Sequence, residues 1–424
     1  MLSKLRALLP HSQPDLYAIL DIGTVEVKAL LLLVAEDDAA VVGVGRQVHQ
    51  PGAMVNGSIA DAKLAARACE QAMAQAEALT ETVVGEKLVA DRAIASISGD
   101  LLKSVCLSLT IHRQHPKERL SESELRSAVQ RAERVVLEEA RSQMESQPGA
   151  AGAEVGLVDA DVLYVLIDGY PLSNTGVTGA QLDVRLSNVF APVGYLAAIA
   201  ALVAELEMET VAILSGACAV ARAPYITGHG DAIIIDVGGE CTDIVLSRHG
   251  GIESVQSLPM GGGSFTRHTA RLLGVPLMAA EDIKRTYASG ALDQERTNEL
   301  RAVLAGDVHT WIDGVQALLE DMAAQESLPS HIFLSGGGAA LPDLQRAVSS
   351  HRWIHVLPFV RHPQVTVVQP RSLSVLTDQT RHLEGEAFSV PAALAAWAVQ
   401  SIRQKTTSVP QRALKQVLHG MGLS

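Results

Sequence analysis

The sequence predicts an α/β chain of two similar lobes with a unit inserted in the first, and three observations predict it. At 424 residues and 48% hydrophobic content the chain exceeds what one core usually supports, so two lobes are expected, each with a core of its own. An apolar strand that ends in an acid and a glycine turn, followed by a returning apolar strand, occurs at 17–34 and again at 232–247. A third apolar segment, 332–334, runs through Ser335 into Gly336, Gly337 and Gly338 and on to Pro342, which suits a strand, a glycine loop and a helix start. Identity between 20–28 and 235–243 is slight, so the repeat is one of architecture.

The connecting elements follow from periodicity. Residues 59–78 are Ala-rich with Leu64, Ala68, Met73 and Ala76 at helical spacing, and strands are expected at 93–98 and 105–111. Ser121 and Glu124 have the spacing of a capping box, which opens a long charged helix to about Met144. Residues 148–156 form a loop, 162–167 and 182–189 read as strands around a turn-rich 169–179, and 194–207 reads as an amphipathic helix. Leu300, Leu304, Trp311, Val315 and Leu319 recur at helical spacing, so Trp311 is a core residue, and 354–368 is strand-like. The expected division is 16–90 with 187–228 as the first lobe and 91–186 as the insertion. Residues 229–403 make the second lobe and 404–424 a linker and C-terminal helix.

Composition excludes several classes. A formal charge of −13 opposes binding along a nucleic-acid backbone, and 3% aromatics leave no stacking platform for bases. Cys69, Cys106, Cys218 and Cys241 are scattered without Cys-x-x-Cys spacing, which argues for reduced thiols rather than a zinc site or a disulfide framework. The longest uncharged apolar candidate, 29–35, is far short of the about 18 residues of a membrane span. Residues 1–9, with Lys4 and Arg6, have too short an apolar stretch for a secretory signal, so a soluble cytoplasmic protein is expected.

The repeated turns carry the chemistry. Asp21, Gly23 and Thr24, and later Asp236, Gly238 and Gly239, each put a carboxylate at a strand end beside glycines whose bare backbones can approach phosphate oxygens. Such a pair suits a magnesium nucleotide clamped between lobes, with Asp21 and Asp236 holding the waters of Mg²⁺ and Lys28 adding positive field. Gly336, Gly337 and Gly338 would let the chain lie against a purine. Gly261 and Gly262, with Glu281 and Lys284 one helical turn apart, would face the ribose or base.

Residues 21–28, 236–243 and 334–342 resemble the two phosphate motifs and the adenosine motif of the actin/Hsp70/sugar-kinase superfamily, over about 17–399. The stretch 259–290, with Ala280, Glu281, Asp282, Ile283, Lys284 and Tyr287, is similar to the bacterial cell-division actin homologue FtsA family in particular, as is an insertion at 91–186 carrying Ser98, Gly99 and 165–179. The resemblance implies an actin-like fold of duplicated ribonuclease-H-like domains with a strand-helix-strand insertion. It also implies ATP and Mg²⁺ as ligands, with Thr242 among the phosphate contacts. The implied role is a self-associating scaffold that tethers the tubulin-like protein FtsZ to the inner face of the membrane. The C-terminal segment can be read for that role independently: beyond Pro410, Leu414, Val417, Leu418 and Met421 line one face of a short helix, with Arg412 and Lys415 elsewhere. A final helix docked on the protein itself is the alternative. Leu2, Leu5, Leu8 and Leu9 make a second amphipathic candidate.

Departures from the family pattern bear on activity. Glu240 and Cys241 stand where a third glycine and a threonine are usual, Glu26 where a lysine is frequent, and Ile213 and Leu214 where relatives offer Glu-Pro or a water-orienting glutamine. Slow or absent hydrolysis is therefore expected. Between Tyr287 and Thr297 only a few residues replace a small sheet that the FtsA family uses for FtsZ and filament contacts, so the resemblance implies a reduced small part of the second lobe near 285–330. A PilM-type pilus-assembly adaptor, whose first phosphate motif also has a lysine at the place of Lys28, and a small-molecule kinase of the same superfold are the competing expectations.

Overall fold

The structure is a computed structural model. It describes residues 15–403 except 36–37, 56, 100, 146–153, 173–175, 325 and 374–375, and the backbone alone at 351–352. The N-terminal leucines and the C-terminal residues Arg412, Leu414, Lys415, Val417, Leu418 and Met421 lie outside the described residues.

The first lobe opens with β1 (Asp15–Ile22), β2 (Glu26–Val34) and β3 (Ala39–Val48), an antiparallel meander whose central strand is buried along almost its whole length. Helix α1 (Ala62–Val83) starts at Asp61, whose carboxylate accepts from the Lys63 and Leu64 N–H groups. The helix lies on the meander closely enough that only glycine fits at 43 and 45, where a β-carbon would meet the Ala76 and Ala72 carbonyls. Strand β4 (Arg92–Ile97) then pairs parallel with β1. The sequence division placed this strand in the insertion, but a parallel strand buried on both faces belongs to the central sheet, and the insertion starts one strand later.

The insertion is a separate sheet of β5 (Lys103–His112), β6 (Val155–Ile167), the two-residue strand Tyr170–Pro171 and β7 (Gln181–Pro192), in the order β5, β7, β6, Tyr170–Pro171. One face is covered by α2 (Glu122–Glu145) through Leu125, Val129, Ala132 and Val136. Half of the capping box forms: Ser121 Oγ accepts from Glu124 N at 3.2 Å, while the Glu124 carboxylate goes to Arg113 instead. The chain returns to the first lobe through α3 (Val193–Glu205) and β8 (Glu209–Ser215), and crosses to the second through α4 (Gly216–Ala221) and α5 (Pro224–Thr227).

The second lobe repeats the plan. Strands β9 (Ala232–Val237), β10 (Thr242–Arg248) and β11 (Gly251–Leu258) form the meander, and β12 (His331–Ser335) pairs parallel with β9 as β4 does with β1. The sheet order β11, β10, β9, β12, β13 (Gln364–Val367) matches β3, β2, β1, β4, β8 in the first lobe, so the expected duplication is present in topology. Within 354–368 only β13 is a strand, because parallel pairing to β12 is available there alone. Helices α6 (Gly262–Leu273), α7 (Leu277–Ala288), α8 (Gln294–Met322) and α9 (Pro342–Val348) cover the sheet, with Trp311 of α8 fully buried.

The chain then crosses back. Thr377–Asp378 extends the first sheet beside β3, and α10 (Ser389–Arg403) buries Val390, Leu394, Trp397 and Val399 in the first lobe's core. The division that ended the second lobe at 403 is corrected accordingly: an apolar helix this far along the chain finds its cover against β1 and β2.

Candidate functional site

Thirteen of the expected site residues meet in one cleft of about 630 Å³ between the lobes: Asp21, Gly23, Thr24, Lys28, Asp236, Gly238, Gly239, Gly262, Glu281, Lys284, Gly336, Gly337 and Gly338. The first wall is the β1–β2 hairpin. The register puts Asp21 opposite Lys28, and the Lys28 ammonium lies 2.9 Å from Asp21 Oδ2 while Ser96 on β4 donates to Oδ1 at 2.7 Å. Burial pulls the Lys28 pKa down, but Asp21 and Glu26 beside it outweigh this and hold it above the usual lysine range. Gly23 N donates to Glu26 O at 3.1 Å to close the turn, and a His49 ring nitrogen lies 3.0 Å from Gly23 O. Thr24 Oγ1 is buried in the turn without a hydrogen-bond partner.

The second wall is the β9–β10 hairpin, with Asp236 opposite Asp243 where the first has Asp21 opposite Lys28. Ser335 on β12 donates to Asp236 Oδ1 at 2.7 Å. Burial pushes the Asp236 carboxyl up to about 7, and the neighbouring Asp243 and Asp21 push the same way. Asp243 accepts from Ser257 Oγ and, at 3.2 Å, from the Gly99 N–H across the lobe boundary. The turn carbonyls of Gly238 and Gly239 accept from Gly262 N at 2.8 Å and Gly263 N at 2.6 Å, so the start of α6 is laced to the hairpin.

Two expected ligands lie elsewhere than in the cleft wall. Gly261 is a packing residue rather than part of the cleft wall: a β-carbon there would lie 2.6 Å from Gly238 O and 2.8 Å from Gly239 O. Thr242 is fully buried, donating to Met260 O at 2.7 Å and accepting from Trp311 Nε1 at 2.9 Å, so its hydroxyl serves the core. Alternation along the strand is the cause, since Asp243 faces the cleft and its neighbour faces away.

On the far side, Lys284 Nζ bonds Glu281 Oε2 at 2.8 Å, Gly262 O at 2.9 Å and Thr266 Oγ1 at 2.7 Å. Burial would raise the Glu281 carboxyl, but Lys284, Thr266 and Arg285 overrule it and bring it down to about 2. Gly336 has φ +81°, and a β-carbon there would lie 2.7 Å from Asp236 Oδ1, so glycine is required twice over. Glu240, which stands where a third glycine is usual, turns toward Arg267 Nη1 at 3.3 Å and lies outside the cleft wall.

The sequence did not single out Ser96, Arg46, Arg285, Gly216, Gln345 or 384–388, which also line the cleft. Arg285 was adjacent to a named residue. A lone serine at a strand end and a segment on the return crossing carry no comparable signal. A cleft of this size, the hairpin carboxylates Asp21, Asp236 and Asp243 with Lys28 among them, an orphaned hydroxyl and bare glycine turns together fit a hydrated divalent cation carrying an anionic ligand.

Residues 233–391 match the family model of cell division protein FtsA. Over a longer span the chain is similar to FtsA of Neisseria meningitidis serogroup B, 23% identical over 295 residues that cover 68% of this chain and 66% of that protein. It is 24% identical to FtsA of Pseudomonas aeruginosa over 392 residues, covering 86% and 85%. Among solved structures, the PilM–PilN type IV pilus biogenesis complex matches with a TM-score of 0.63 at 20% identity, covering 90% of this chain and 97% of that one. The ethanolamine utilization protein EutJ of Carboxydothermus hydrogenoformans matches with a TM-score of 0.50 at 16% identity, covering 92% and 93%. The chain has an α/β actin-like fold and, over the match that runs through its second lobe, is similar to the FtsA family of cell division proteins.

Proposed function

We propose that this chain binds ATP with Mg²⁺ between its lobes and works as an actin-like scaffold of the FtsA type. In this role it self-associates and tethers a cell-division partner to the inner face of the membrane. The observation that carries the nucleotide site is the duplicated hairpin pair, Asp21 with Ser96 and Asp236 with Ser335, facing each other across one cleft. Among the described residues no three His, Cys, Asp or Glu side chains are grouped to cage an ion directly. Asp21 and Asp236 would therefore hold Mg²⁺ through its waters, and the ion would bring the phosphates to Lys28 and the bare turns.

Slow or absent hydrolysis rests on the sequence at 213–214, where Ile213 and Leu214 of β8 stand in place of the Glu-Pro or water-orienting glutamine of relatives; neither lines the cleft. An FtsZ-type partner would meet a surface built from the single helix α8 rather than from a small sheet. Two measurements test the proposal: titration of ATP with and without Mg²⁺, and liposome co-sedimentation of the full chain against one truncated before Pro410. Mg²⁺-dependent binding and pelleting lost on truncation are expected. Binding of nucleotide with no pelleting of either protein would favour the second reading, a PilM-like adaptor of a pilus or secretion assembly, which the fold likeness over 90% of the chain supports.

A further inference from the structure

Glu26 draws cations from both lobes at the mouth of the cleft. Its side chain is only 10% exposed. From its own lobe Arg46 donates to Oε2 at 2.5 Å and the Lys28 ammonium lies 3.6 Å from Oε1. From the second lobe Arg285 on α7 brings Nη2 to 3.5 Å from Oε2, while its Nε holds Glu281 at 2.9 Å. Below this bridge the hairpin tips touch, since a β-carbon on Gly239 would lie 2.4 Å from Val25 Cγ2 and 2.6 Å from Thr24 Oγ1. Opening the lobes at this place parts these contacts. The cost of parting is asymmetric: Arg285 is 44% exposed and keeps Glu281, whereas Glu26 is buried and loses one of its cations.

We propose that Glu26 and Arg285 form a latch that holds the lobes together across the mouth of the cleft and so sets how fast bound nucleotide leaves. Glu26 is a positioning residue in this scheme, neutralised by its three cations and acting through Arg285. The proposal rests on the nucleotide-site reading above. The test is the release of a fluorescent ADP analogue into excess unlabelled ADP with Mg²⁺, followed for the native protein, Glu26→Gln, Arg285→Gln and the double variant. Release is expected to be about two- to fivefold faster in Glu26→Gln at an unchanged association rate, the factor that a partly exposed ion pair carries. The increment should be smaller when Arg285→Gln is already present, and the difference between the two increments, in which the separate effects of Arg46 and of Arg285 on the ligand cancel, measures the latch.

An unchanged release rate, or an equal increment in both backgrounds, would overturn the latch. Hydrogen exchange of the nucleotide-free protein is the second measurement and needs no ligand. Faster exchange of the turn amides at 23–25 and 238–241 in Arg285→Gln is expected, and a residue that merely touched nucleotide would leave them unmoved. If the native protein takes up no nucleotide, the site reading fails by itself, and this exchange alone decides whether the latch stands. It also serves if Glu26→Gln does not fold.

Discussion

Ser335 donates its hydroxyl to Asp236 Oδ1 at 2.7 Å, from the parallel strand beside it, and Ser96 serves Asp21 in the same way at the same distance in the other lobe. The twin hairpins part company at the next position of the register. Lys28 faces Asp21, whereas Asp243 faces Asp236. The first hairpin is thereby neutralised within itself and the second is left doubly acidic, which is why burial can drive the Asp236 carboxyl to about 7.

Asp236→Asn should separate stability from ligand binding. The amide oxygen still accepts from Ser335, and a buried charge beside Asp243 disappears, so at pH 8 the nucleotide-free variant should be more stable by about 2 kcal/mol. Mg²⁺-dependent ATP affinity should fall at least about tenfold because one of the two carboxylates proposed to hold the ion's waters is gone. Denaturant unfolding and ATP titration read the two effects. A variant that loses stability and keeps affinity would remove Asp236 from the ion site.

The same carboxyl gives a pH dependence with a definite sign. Its pKa rises on folding, so the folded state binds the extra proton, and the stability of the nucleotide-free protein should decline as pH rises from about 4 to about 7 and then level. Cation binding needs the ionised form. Mg²⁺-dependent affinity should therefore increase with pH, by up to about tenfold per unit below pH 7, and this component should be missing in Asp236→Asn. Calorimetric titration between about pH 6 and pH 8 checks the slope, and the variant removes the ligand's own titration from the comparison.

These contrasts bound what the sequence could reveal. The Asp21 and Asp236 turns were legible because an apolar strand, an acid and glycines form a local pattern, and local patterns survive without knowledge of the fold. Arg92–Ile97 was legible as a strand but not as the first lobe's, since a short buried parallel strand reads alike in either unit. Ser96 and the residues 384–388 reach the cleft through parallel pairing and a late crossing, neither of which is written in nearby residues. Helix α10 likewise belongs to the first core because of where the chain returns.

Lys28→Met should damage both fold and site. The substitution leaves Asp21 buried with Ser96 as a remaining donor and takes one cation from Glu26, which keeps Arg46. Breaking one side of such a pair costs about 3 kcal/mol, and the loss should appear in thermal unfolding without ligand. Because Lys28 also lines the cleft beside Asp21, ATP is expected to raise the midpoint of the variant less than that of the native protein. A midpoint within a degree or two of the native value would mean that the Lys28–Asp21 pair contributes little.

Gly336→Ala tests the close approach on the adenosine side. The new methyl would meet Asp236 Oδ1 at 2.7 Å and Val237 O at 2.6 Å from a backbone at φ +81°, so strain and collision act together. A destabilisation of more than about 1 kcal/mol is expected. The collision falls on Asp236, the carboxylate proposed to order the ion, so affinity should fall with stability. Gly337→Ala is the control, since its β-carbon would find Ala387 Cβ at an ordinary 3.6 Å.

Thr242→Val decides between two roles for a residue that sits within the phosphate motif. If its hydroxyl reached a phosphate, the valine variant would be stable and bind poorly. The observed contacts demand the reverse. Valine fills the same volume but leaves Trp311 Nε1 and Met260 O buried without their partner, at a cost of about 2 kcal/mol or more. Nucleotide affinity should stay within about twofold, because the side chain lies on the core face of β10 while Asp243 occupies the cleft face. Denaturant unfolding with ATP titration resolves the pair of effects, and a large loss of affinity at native stability would return Thr242 to the phosphates.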